Sequence, residues 1–499
     1  MSIAQRGVLV LAILLFVAVA VPYLHLPLSG ENAYFAHFAW RVREGAIPYR
    51  DLWDQNMPGA LGIELLAERV FGPRAAAIRA FDTIWMAITL GLLHRVGSRS
   101  LSPLSASVGV VLAIATYFTF GHHPTAQRDG FCLLFLLVAV VAATEAPRSA
   151  RGGVLAGLVV GLCAAAVSLL KPPVAIVAVV PAVAVLTRDR SGVVARAAAL
   201  AVSFSVPTLA LVLYLWRNAA LAPFYDSVVL FNREYLGVGR DRFALFAGLF
   251  GFAARNPVVP IGMLGIFAGL TSSRTRLLAI FSVSCLLSAL LQGKLTDYHL
   301  VPFLLMLCLW SGHGVVVALR DARFAPLSRL AAVAMIAVFA FSFVEAFRFE
   351  KMPGIWLSLV RTGGASARRE EMEVAGRIAE YSAPGESVLV WGIGTAGFIH
   401  TFAHRPSPTR FTTNYPFSLD RPDSELVTRW RAEFLAALRA QPPRLVLVVE
   451  GDRWPGIGNL DSTESLERFI GLREFLRAHY VPLFEMGGNL GYRVLRFRD

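Results

Sequence analysis

The chain is dominated by apolar segments long enough to cross a membrane. A spanning helix needs about 20 apolar residues to cross roughly 30 Å of hydrocarbon. About eleven such segments begin near residues 7, 75, 102, 130, 154, 173, 197, 243, 277, 299 and 329. Only 16% of the residues are charged, whereas soluble domains contain roughly a quarter. The sequence predicts a polytopic α-helical membrane protein with about 11 transmembrane helices. The exact count is open where Pro residues interrupt the segments at 154–187 and 243–271.

The arginines predict the orientation of the chain. They fall in alternate short loops, at Arg6, Arg95, Arg99, Arg148, Arg151, Arg188, Arg190, Arg196, Arg274, Arg276, Arg320, Arg323 and Arg329. Because Lys and Arg are enriched in cytoplasmic loops, we expect a cytoplasmic N-terminus, with the loop 29–74 and the C-terminal region outside. Ala18-Val19-Ala20 resembles a signal-peptide cleavage site. The apolar run continues to about Leu28, which favours a retained helix.

The formal net charge of +13 does not indicate a nucleic-acid partner. Many of the basic residues lie in short loops between apolar segments, and they form no stripe or groove for phosphates. The expected surroundings are the lipid bilayer. The four cysteines all lie within apolar segments, without the spacing of a zinc site or a disulfide framework.

The composition changes from about Arg348 onward. Short apolar runs at 387–391 and 444–449 alternate with helical patterns near 395–403 and 463–479, and two further strand-like runs follow. Such alternation is typical of α/β structure. We therefore expect a transmembrane domain over 1–347 and a small external α/β domain over 348–499.

The segment Gly392-Ile393-Gly394-Thr395-Ala396-Gly397 matches the GxGxxG pattern of dinucleotide-binding proteins. It follows a predicted strand and precedes a predicted helix, as that pattern requires. However, no acidic residue lies about 20 residues further on, and the domain is predicted to be external. A tight strand-to-helix turn is the favoured interpretation.

The loop 29–74 is unusually long for a connection between two membrane helices, and it contains the candidate catalytic residues. Glu31 and Asp54 are external carboxylates that suit general-base catalysis, with one acid activating an acceptor and the other orienting it or holding a divalent ion. Asp51, Tyr34 and Tyr49 are further candidates in this loop. The alternative is that these acids are solvated loop charges.

Cations recur at the outer ends of the predicted spans. Only three of the 47 basic Lys and Arg residues are lysines, and Lys171 and Lys294 both lie at such ends. Arg128 and His299 lie at a similar level. Together they suit a lipid-linked phosphate or pyrophosphate. The alternative is that these side chains anchor helix ends by reaching towards the headgroups.

These segments, in this order, resemble the GT-C membrane glycosyltransferases, in particular the protein mannosyltransferase and aminoarabinose transferase group with its bacterial relatives. The resemblance covers most of the chain. It lies in SGENAYF (29–35), REGAIPYRDLWDQNMPG (43–59), the Lys-Pro turn at 171–172, the KxxxYHxxP segment at 294–302 and the C-terminal α/β pattern. The first-loop strings are the most specific part.

The resemblance implies transfer of a sugar from a polyprenyl-phosphate donor to a glycolipid, polysaccharide or protein acceptor, with inversion, on the outer face of a bacterial inner membrane. Glu31 and Asp54 take the positions of the family's catalytic acids. Lys171, Lys294, His299 and Arg128 would stabilise the leaving phosphate. Gly30 stands where the family usually has Asp. Either Glu31 acts alone, or the role shifts towards Asp54, or the activity differs.

The resemblance implies no certain cofactor, and a divalent cation is left open. Two other functions compete with a transferase. A transporter or flippase of lipid-linked sugars would place ionisable residues deep within spans, whereas nearly all charges here lie at span ends and in loops. A membrane scaffold would leave the length and acidity of the first loop unexplained.

Overall fold

A computed structural model of the chain describes residues 3–188, 192–236, 247–251, 253, 256, 258–273, 275–293, 296–320, 325–362, 370–419, 424–453 and 460–498. Lys294 lies outside the described residues, so its predicted role stays a prediction. The chain divides into two compact units. Unit 1 comprises Met1–Pro27, Ala76–Ala210 and Arg242–Ser366, and unit 2 comprises Leu28–Ala75, Leu211–Asp241 and Ala367–Asp499. The predicted division at 347/348 stays a prediction.

Helices dominate the described residues. Up to residue 271 they are α1 (Ile3–Tyr23), α2 (Gly30–Arg43), α3 (Gly59–Phe71), α4 (Ala77–Ser100), α5 (Pro103–Thr119), α6 (Arg128–Glu145), α7 (Ala150–Leu170), α8 (Val179–Leu186), α9 (Val193–Arg217), α10 (Leu221–Phe224), α11 (Phe231–Tyr235) and α12 (Val258–Thr271). They continue with α13 (Arg276–Leu291), α14 (Val301–Arg320), α15 (Ala325–Phe349), α16 (Met352–Thr362), α17 (Glu370–Glu380), α18 (Ala396–Ala403), α19 (Glu425–Ala440), α20 (Ser462–Arg468) and α21 (Ile470–His479). Short 3₁₀ helices cover Pro172–Ala178, Asp297–Leu300 and Tyr415–Phe417, and a π-helical turn covers Tyr225–Leu230.

Five of the described helical segments are long and apolar enough to cross a membrane. They are Ile3–Tyr23, Ala150–Leu170, Val193–Arg217, Asp297–Arg320 and Ala332–Phe349. Shorter apolar helical segments cover Pro103–Thr119, Pro172–Leu186, Val258–Thr271 and Arg276–Leu291. The chain is therefore a multi-pass helical membrane protein. The predicted count of about 11 transmembrane helices stays a prediction.

Small residues allow close helix packing in unit 1. Helices α5 and α14 approach each other at Gly109 and Gly312, where a Cβ atom on Gly312 would lie 2.3 Å from the backbone nitrogen of Gly109. Membrane helices lack a strong hydrophobic drive towards each other in lipid, so close backbone approach provides much of their van der Waals contact.

A fully buried arginine joins three parts of unit 1. Arg79, in the first turn of α4, is 0% exposed. It donates hydrogen bonds to Tyr23 Oη, Thr125 Oγ1, Pro27 O and His122 O, at 3.0, 2.8, 2.8 and 2.6 Å. Asp82, one turn later, accepts from Tyr23 Oη at 2.5 Å and from Tyr117 Oη at 2.9 Å. This arrangement satisfies much of the hydrogen-bonding capacity of two buried charges, which would otherwise be costly.

Unit 2 contains a four-stranded mixed sheet. Its strands are β1 (Val388–Trp391), β2 (Leu445–Glu450), β3 (Tyr480–Gly487) and β4 (Gly491–Phe497), in the order β1-β2-β4-β3. β1 and β2 are parallel, and the other pairs are antiparallel. The strands and helices predicted for this region are therefore confirmed.

Successive residues of the two parallel strands point to opposite sides of the sheet. Leu389, Trp391, Val446 and Val448 pack in one hydrophobic cluster, and their neighbours Val388, Val390, Leu445 and Leu447 pack in another. This is the two-residue period of a strand. Because both faces are covered, these strands read as continuous apolar runs in the sequence.

The first-loop tryptophan Trp53 belongs to the first of these clusters. Its ring lies 5.8 Å from that of Trp430 in α19 and 5.1 Å from that of Phe231 in α11. The backbone amide of Trp53 also donates to the carbonyl of Arg410 at 2.7 Å. The loop 29–74 thus contributes to the same hydrophobic core as the C-terminal sheet.

This shared core predicts an effect at a distance. Trp430→Ala removes a fully buried ring and should destabilise unit 2 by about 3–5 kcal/mol. It should also accelerate amide hydrogen exchange at residues 50–56, more than 350 positions earlier in the sequence. Exposed Thr428 lies in the same helix, so Thr428→Ala should change neither measurement. Unchanged exchange at 50–56 in Trp430→Ala would contradict the shared core.

Candidate functional site

Glu31 lies in the first turn of α2, at the start of the first loop. Ser29 caps this helix, because its hydroxyl oxygen accepts a hydrogen bond from the amide of Asn32 at 3.1 Å. An N-cap serine followed by an acid in the first turn is a strong helix-start signal. An acidic side chain in the first turn also interacts favourably with the positive end of the helix dipole.

Asp54 lies in the irregular segment between α2 and α3. Its side chain is buried, with 5% exposed. Oδ1 accepts hydrogen bonds from the amide nitrogen of Asn56 at 3.0 Å and from its side-chain Nδ2 at 2.8 Å. These bonds fix the orientation of the carboxylate, which is a requirement for a general base.

Tyr34 interacts with both acids. Burial, Asp54 and Glu31 all raise the pKa of the Tyr34 hydroxyl well above its ordinary value, with burial the largest cause. The hydroxyl therefore stays protonated, and it donates to the carbonyl of Trp53 at 2.5 Å. The structure thus brings Glu31, Asp54 and Tyr34 into one electrostatic neighbourhood.

The other two first-loop candidates lie in the turn before Asp54. Asp51 accepts from the amide of Ile47 at 2.8 Å and forms an ion pair with Arg50, which lowers the Asp51 pKa. The buried Tyr49 hydroxyl donates to the carbonyl of Asn56 at 2.8 Å, and Tyr49 adopts a φ of 68°. Both residues shape the loop that presents Asp54.

Three of the four predicted cations lie together in unit 1. Lys171 is the residue that ends α7, Arg128 begins α6, and His299 lies in the short 3₁₀ helix before α14. Lys171 and Arg128 both act electrostatically on His299. The buried Nδ1 of His299 has no hydrogen-bond partner among the residues that the structure describes.

Asp129 is a site residue that the sequence did not predict. It is 0% exposed, and its Oδ2 lies 2.5 Å from Lys171 Nζ. Gln292 donates to Oδ1 at 3.2 Å, and the Lys171 ammonium lies 4.8 Å from the centre of the Tyr298 ring. Asp129 therefore forms an ion pair with Lys171 and orients its ammonium group. An acid in the first turn of an otherwise apolar helix was the available signal.

The predicted strand-to-helix turn at Gly392–Gly397 is present between β1 and α18. Asp452, which follows β2, accepts from the amide of Ile393 at 2.9 Å and from the hydroxyl of Ser462 at 2.7 Å. Asp452 thus stabilises this turn.

Two histidines are buried against each other in unit 2. The rings of His37 in α2 and His400 in α18 lie 4.9 Å apart. Nδ1 of His400 lies 2.8 Å from the carbonyl of Arg405 and is therefore the protonated nitrogen. Burial lowers the pKa of His400 to about 4 and that of His37 well below its ordinary value, and for His37 the nearby His400, Arg41 and His404 add to the effect. Both rings are neutral at physiological pH.

A surface recess of about 620 Å³ also lies in unit 2, lined by Leu230, Arg233, Glu234, Glu425, Leu426 and Arg429. Its mixed guanidinium and carboxylate walls suit a hydroxyl-rich or zwitterionic group.

In the described parts of the chain, no three His, Cys, Asp or Glu side chains converge on a possible metal position.

No protein-family model and no curated protein sequence matches the chain. Solved structures match over nearly its whole length. The structure of ArnT from Cupriavidus metallidurans bound to undecaprenyl phosphate has a TM-score of 0.62 and 12% identity, covering 98% of both chains. The oligosaccharyltransferase of Archaeoglobus fulgidus, in complex with Zn and sulfate, has a TM-score of 0.53 and 12% identity, covering 97% of this chain and 72% of its own.

These similarities define the class of the fold, which is that of the GT-C membrane glycosyltransferases. Within this class, the chain is similar to ArnT, an aminoarabinose transferase, from end to end. The predicted resemblance to the GT-C group is therefore confirmed at the level of the fold. At this sequence identity the similarity concerns the fold alone.

The buried histidine pair predicts acid sensitivity of unit 2. In the unfolded chain these histidines bind protons below their ordinary pKa of 6.5. In the folded chain His400 binds a proton only when the pH approaches about 4. Stability should therefore fall as the pH decreases through this window, by up to about 1.4 kcal/mol per pH unit for each histidine. In His37→Phe the fall should be smaller. Thermal unfolding of the purified proteins at several pH values, followed by tryptophan fluorescence, measures it. Equal acid sensitivity of both proteins would contradict the assignment.

The Lys171–Asp129 pair predicts a non-additive effect on stability. Asp129→Leu leaves a buried ammonium group uncompensated, at a cost of about 3–5 kcal/mol. The double variant Asp129→Leu/Lys171→Met removes both charges and should recover much of this loss. Thermal unfolding of the two variants and of Lys171→Met forms a complete double-mutant cycle. Additive losses would show that the two side chains do not form a coupled pair.

Proposed function

We propose that the chain is a membrane glycosyltransferase that moves a sugar from a polyprenyl-phosphate donor to an acceptor on the outer face of a bacterial inner membrane. The main support is the end-to-end similarity to ArnT bound to undecaprenyl phosphate, combined with two oriented carboxylates in the first loop. The undecaprenyl phosphate bound to ArnT is a polyprenyl phosphate, the class of lipid that the proposed reaction releases.

In this proposal Glu31 or Asp54 acts as the general base. A carboxylate accepts the proton of an acceptor hydroxyl or amine as that group attacks the anomeric carbon. A new bond forms on the face opposite the phosphate, while the bond between the anomeric carbon and the phosphate oxygen breaks. The single displacement inverts the anomeric configuration. Tyr34 donates to the carbonyl of Trp53, the residue before Asp54, and so helps to hold the backbone that presents this acid.

The electron pair of the broken bond leaves with the polyprenyl phosphate, whose negative charge then increases. Lys171, His299 and Arg128 would stabilise this charge, since preorganised donors act strongly where water is excluded. Asp129 would hold the Lys171 ammonium in a fixed orientation through their 2.5 Å contact. Lys294 is proposed to assist from its sequence position alone.

The acceptor is a glycolipid, a polysaccharide or a protein, and a divalent cation stays open as a cofactor. The buried charges of unit 1 considered above lie in the first two turns or at the ends of helices, as at Arg79, Asp82, Asp129 and Lys171. A transporter of lipid-linked sugars would be expected to place such groups near mid-membrane. The placement therefore favours the transferase.

Replacement of the two acids tests the proposal. Glu31→Gln and Asp54→Asn keep the shape of the side chains but remove the basic oxygen, and loss of a general base typically costs about 10²–10⁴ in rate. Cells that express either variant should accumulate a polyprenyl-phosphate sugar, and deletion cells should do the same. Mass spectrometry of extracted lipids detects this pool, and the mass identifies the sugar.

A matched control is Glu44→Gln, because Glu44 is an exposed acid at the end of the same helix, α2. It should leave the lipid pool at the wild-type level. A normal pool in both acid variants, with each protein present in the membrane, would argue against the transferase and for transport or a scaffold role.

A further inference from the structure

Helix α2, which contains Glu31, lies directly against the glycine turn after β1. A Cβ atom on Gly30 would be only 2.9 Å from the carbonyl oxygen of Gly394. A Cβ atom on Gly397 would be 2.5 Å from the backbone nitrogen of Tyr34. Contacts this short between backbones exclude a side chain at Gly30 and, within the GxGxxG motif, at Gly397, whereas Gly394 takes part through its carbonyl oxygen.

The contact continues along about three turns of α2 and about two turns of α18. The hydroxyl of Thr401 donates to the carbonyl of Ala33 at 2.9 Å. One turn further on, the His37 and His400 rings lie 4.9 Å apart. At the end of the contact, the rings of Trp40 and His404 lie 5.4 Å apart. Helices α2 and α18 therefore form one continuous interface, which starts beside Glu31.

This interface also accounts for the departure of the sequence from the family pattern at position 30. An aspartate there would bring its Cβ atom against the carbonyl of Gly394, a backbone atom that cannot move without displacing the turn. The turn is itself fixed by Asp452, which accepts the amide of Ile393 at 2.9 Å. The position of the Gly394 carbonyl therefore requires a residue without a side chain at position 30.

We propose that the turn Gly392–Gly397 and the helix α18 position the catalytic helix α2, with Gly394, Gly397 and Thr401 acting as positioning residues for Glu31. This inference rests on the proposed transferase function for its catalytic consequence, whereas the interface itself stands on geometry. The turn contacts the residue next to Glu31, so a displacement of α2 moves the carboxylate. A misplacement of about 1 Å can reduce a rate about 100-fold.

Thr401 offers the sharper test, because it can be changed without altering volume. Thr401→Val removes the hydroxyl and keeps the shape, whereas Thr401→Ser keeps the hydroxyl. Purified full-length proteins are assayed on polyprenyl-phosphate sugar extracted from deletion cells, with membranes of the same cells as acceptor. Thr401→Val should lower kcat about five- to tenfold with little change in KM for the donor. Thr401→Ser should restore kcat.

Gly397→Ala forces the two backbones apart and should lower kcat by about 10- to 100-fold. The control is Gly376→Ala, in a helix of the same unit where a Cβ atom meets nothing within 4 Å. Hydrogen exchange at residues 30–43 should accelerate in Gly397→Ala and in Thr401→Val, but not in the control. This readout does not depend on activity.

The outcomes separate the two proposals. If the wild type does not consume the lipid while exchange at 30–43 responds as expected, the transferase assignment fails and the interface stands. If the wild type is active and Thr401→Val has wild-type kcat and wild-type exchange, the positioning role is overturned. A Thr401→Ser variant as impaired as Thr401→Val would equally overturn the role of the hydroxyl.

Discussion

Residues from distant parts of the chain meet in unit 2 because helix α2 lies against the turn and helix that follow β1. The contact is made by backbones at Gly30, Gly394 and Gly397, so it tolerates little change in distance. The loop after α2 belongs to the same unit, and its residue Trp53 packs in the aromatic core beside Trp430. Asp54, the next residue, is then buried and hydrogen-bonded. The orientation of both first-loop acids therefore depends on a C-terminal sheet that contributes neither of them.

Burial determines how the charged and titratable side chains of both units are stabilised. In unit 1, Lys171 is paired with Asp129, and Arg79 donates hydrogen bonds to two carbonyls and two hydroxyls. In unit 2, burial raises the pKa of the Tyr34 hydroxyl and lowers the pKa of the His37 and His400 rings. All three groups are therefore neutral at physiological pH. A protein interior penalises uncompensated charge strongly. The charged groups that remain buried are therefore paired or bonded, and such preorganisation is what charge-stabilising catalysis requires.

The sequence predicted those structural features that depend on a local pattern of residues. Apolar length predicted the membrane helices, short apolar runs predicted the strands, and glycines between a predicted strand and a predicted helix indicated the turn at Gly392–Gly397. First-loop motifs led to the right fold class. The partners of those elements were not predictable, because they depend on long-range contacts. Nothing local indicates that Gly397 contacts Tyr34, that Trp53 packs on Trp430, or that Asp129 pairs with Lys171 across 42 positions. The close approach of Gly30 to Gly394 likewise explains a sequence departure only once both backbones are seen.

The central claim is that this fold transfers a sugar from a polyprenyl phosphate with the help of a first-loop carboxylate. The most direct measurement is turnover by the purified protein in detergent, using polyprenyl-phosphate sugar extracted from deletion cells together with their membranes. Free polyprenyl phosphate, quantified by mass spectrometry, should appear in proportion to the loss of the glycosylated lipid with the wild type and stay at background with Glu31→Gln or Asp54→Asn. Folded wild-type protein that releases no polyprenyl phosphate, or acid variants that release it at the wild-type rate, would contradict the account.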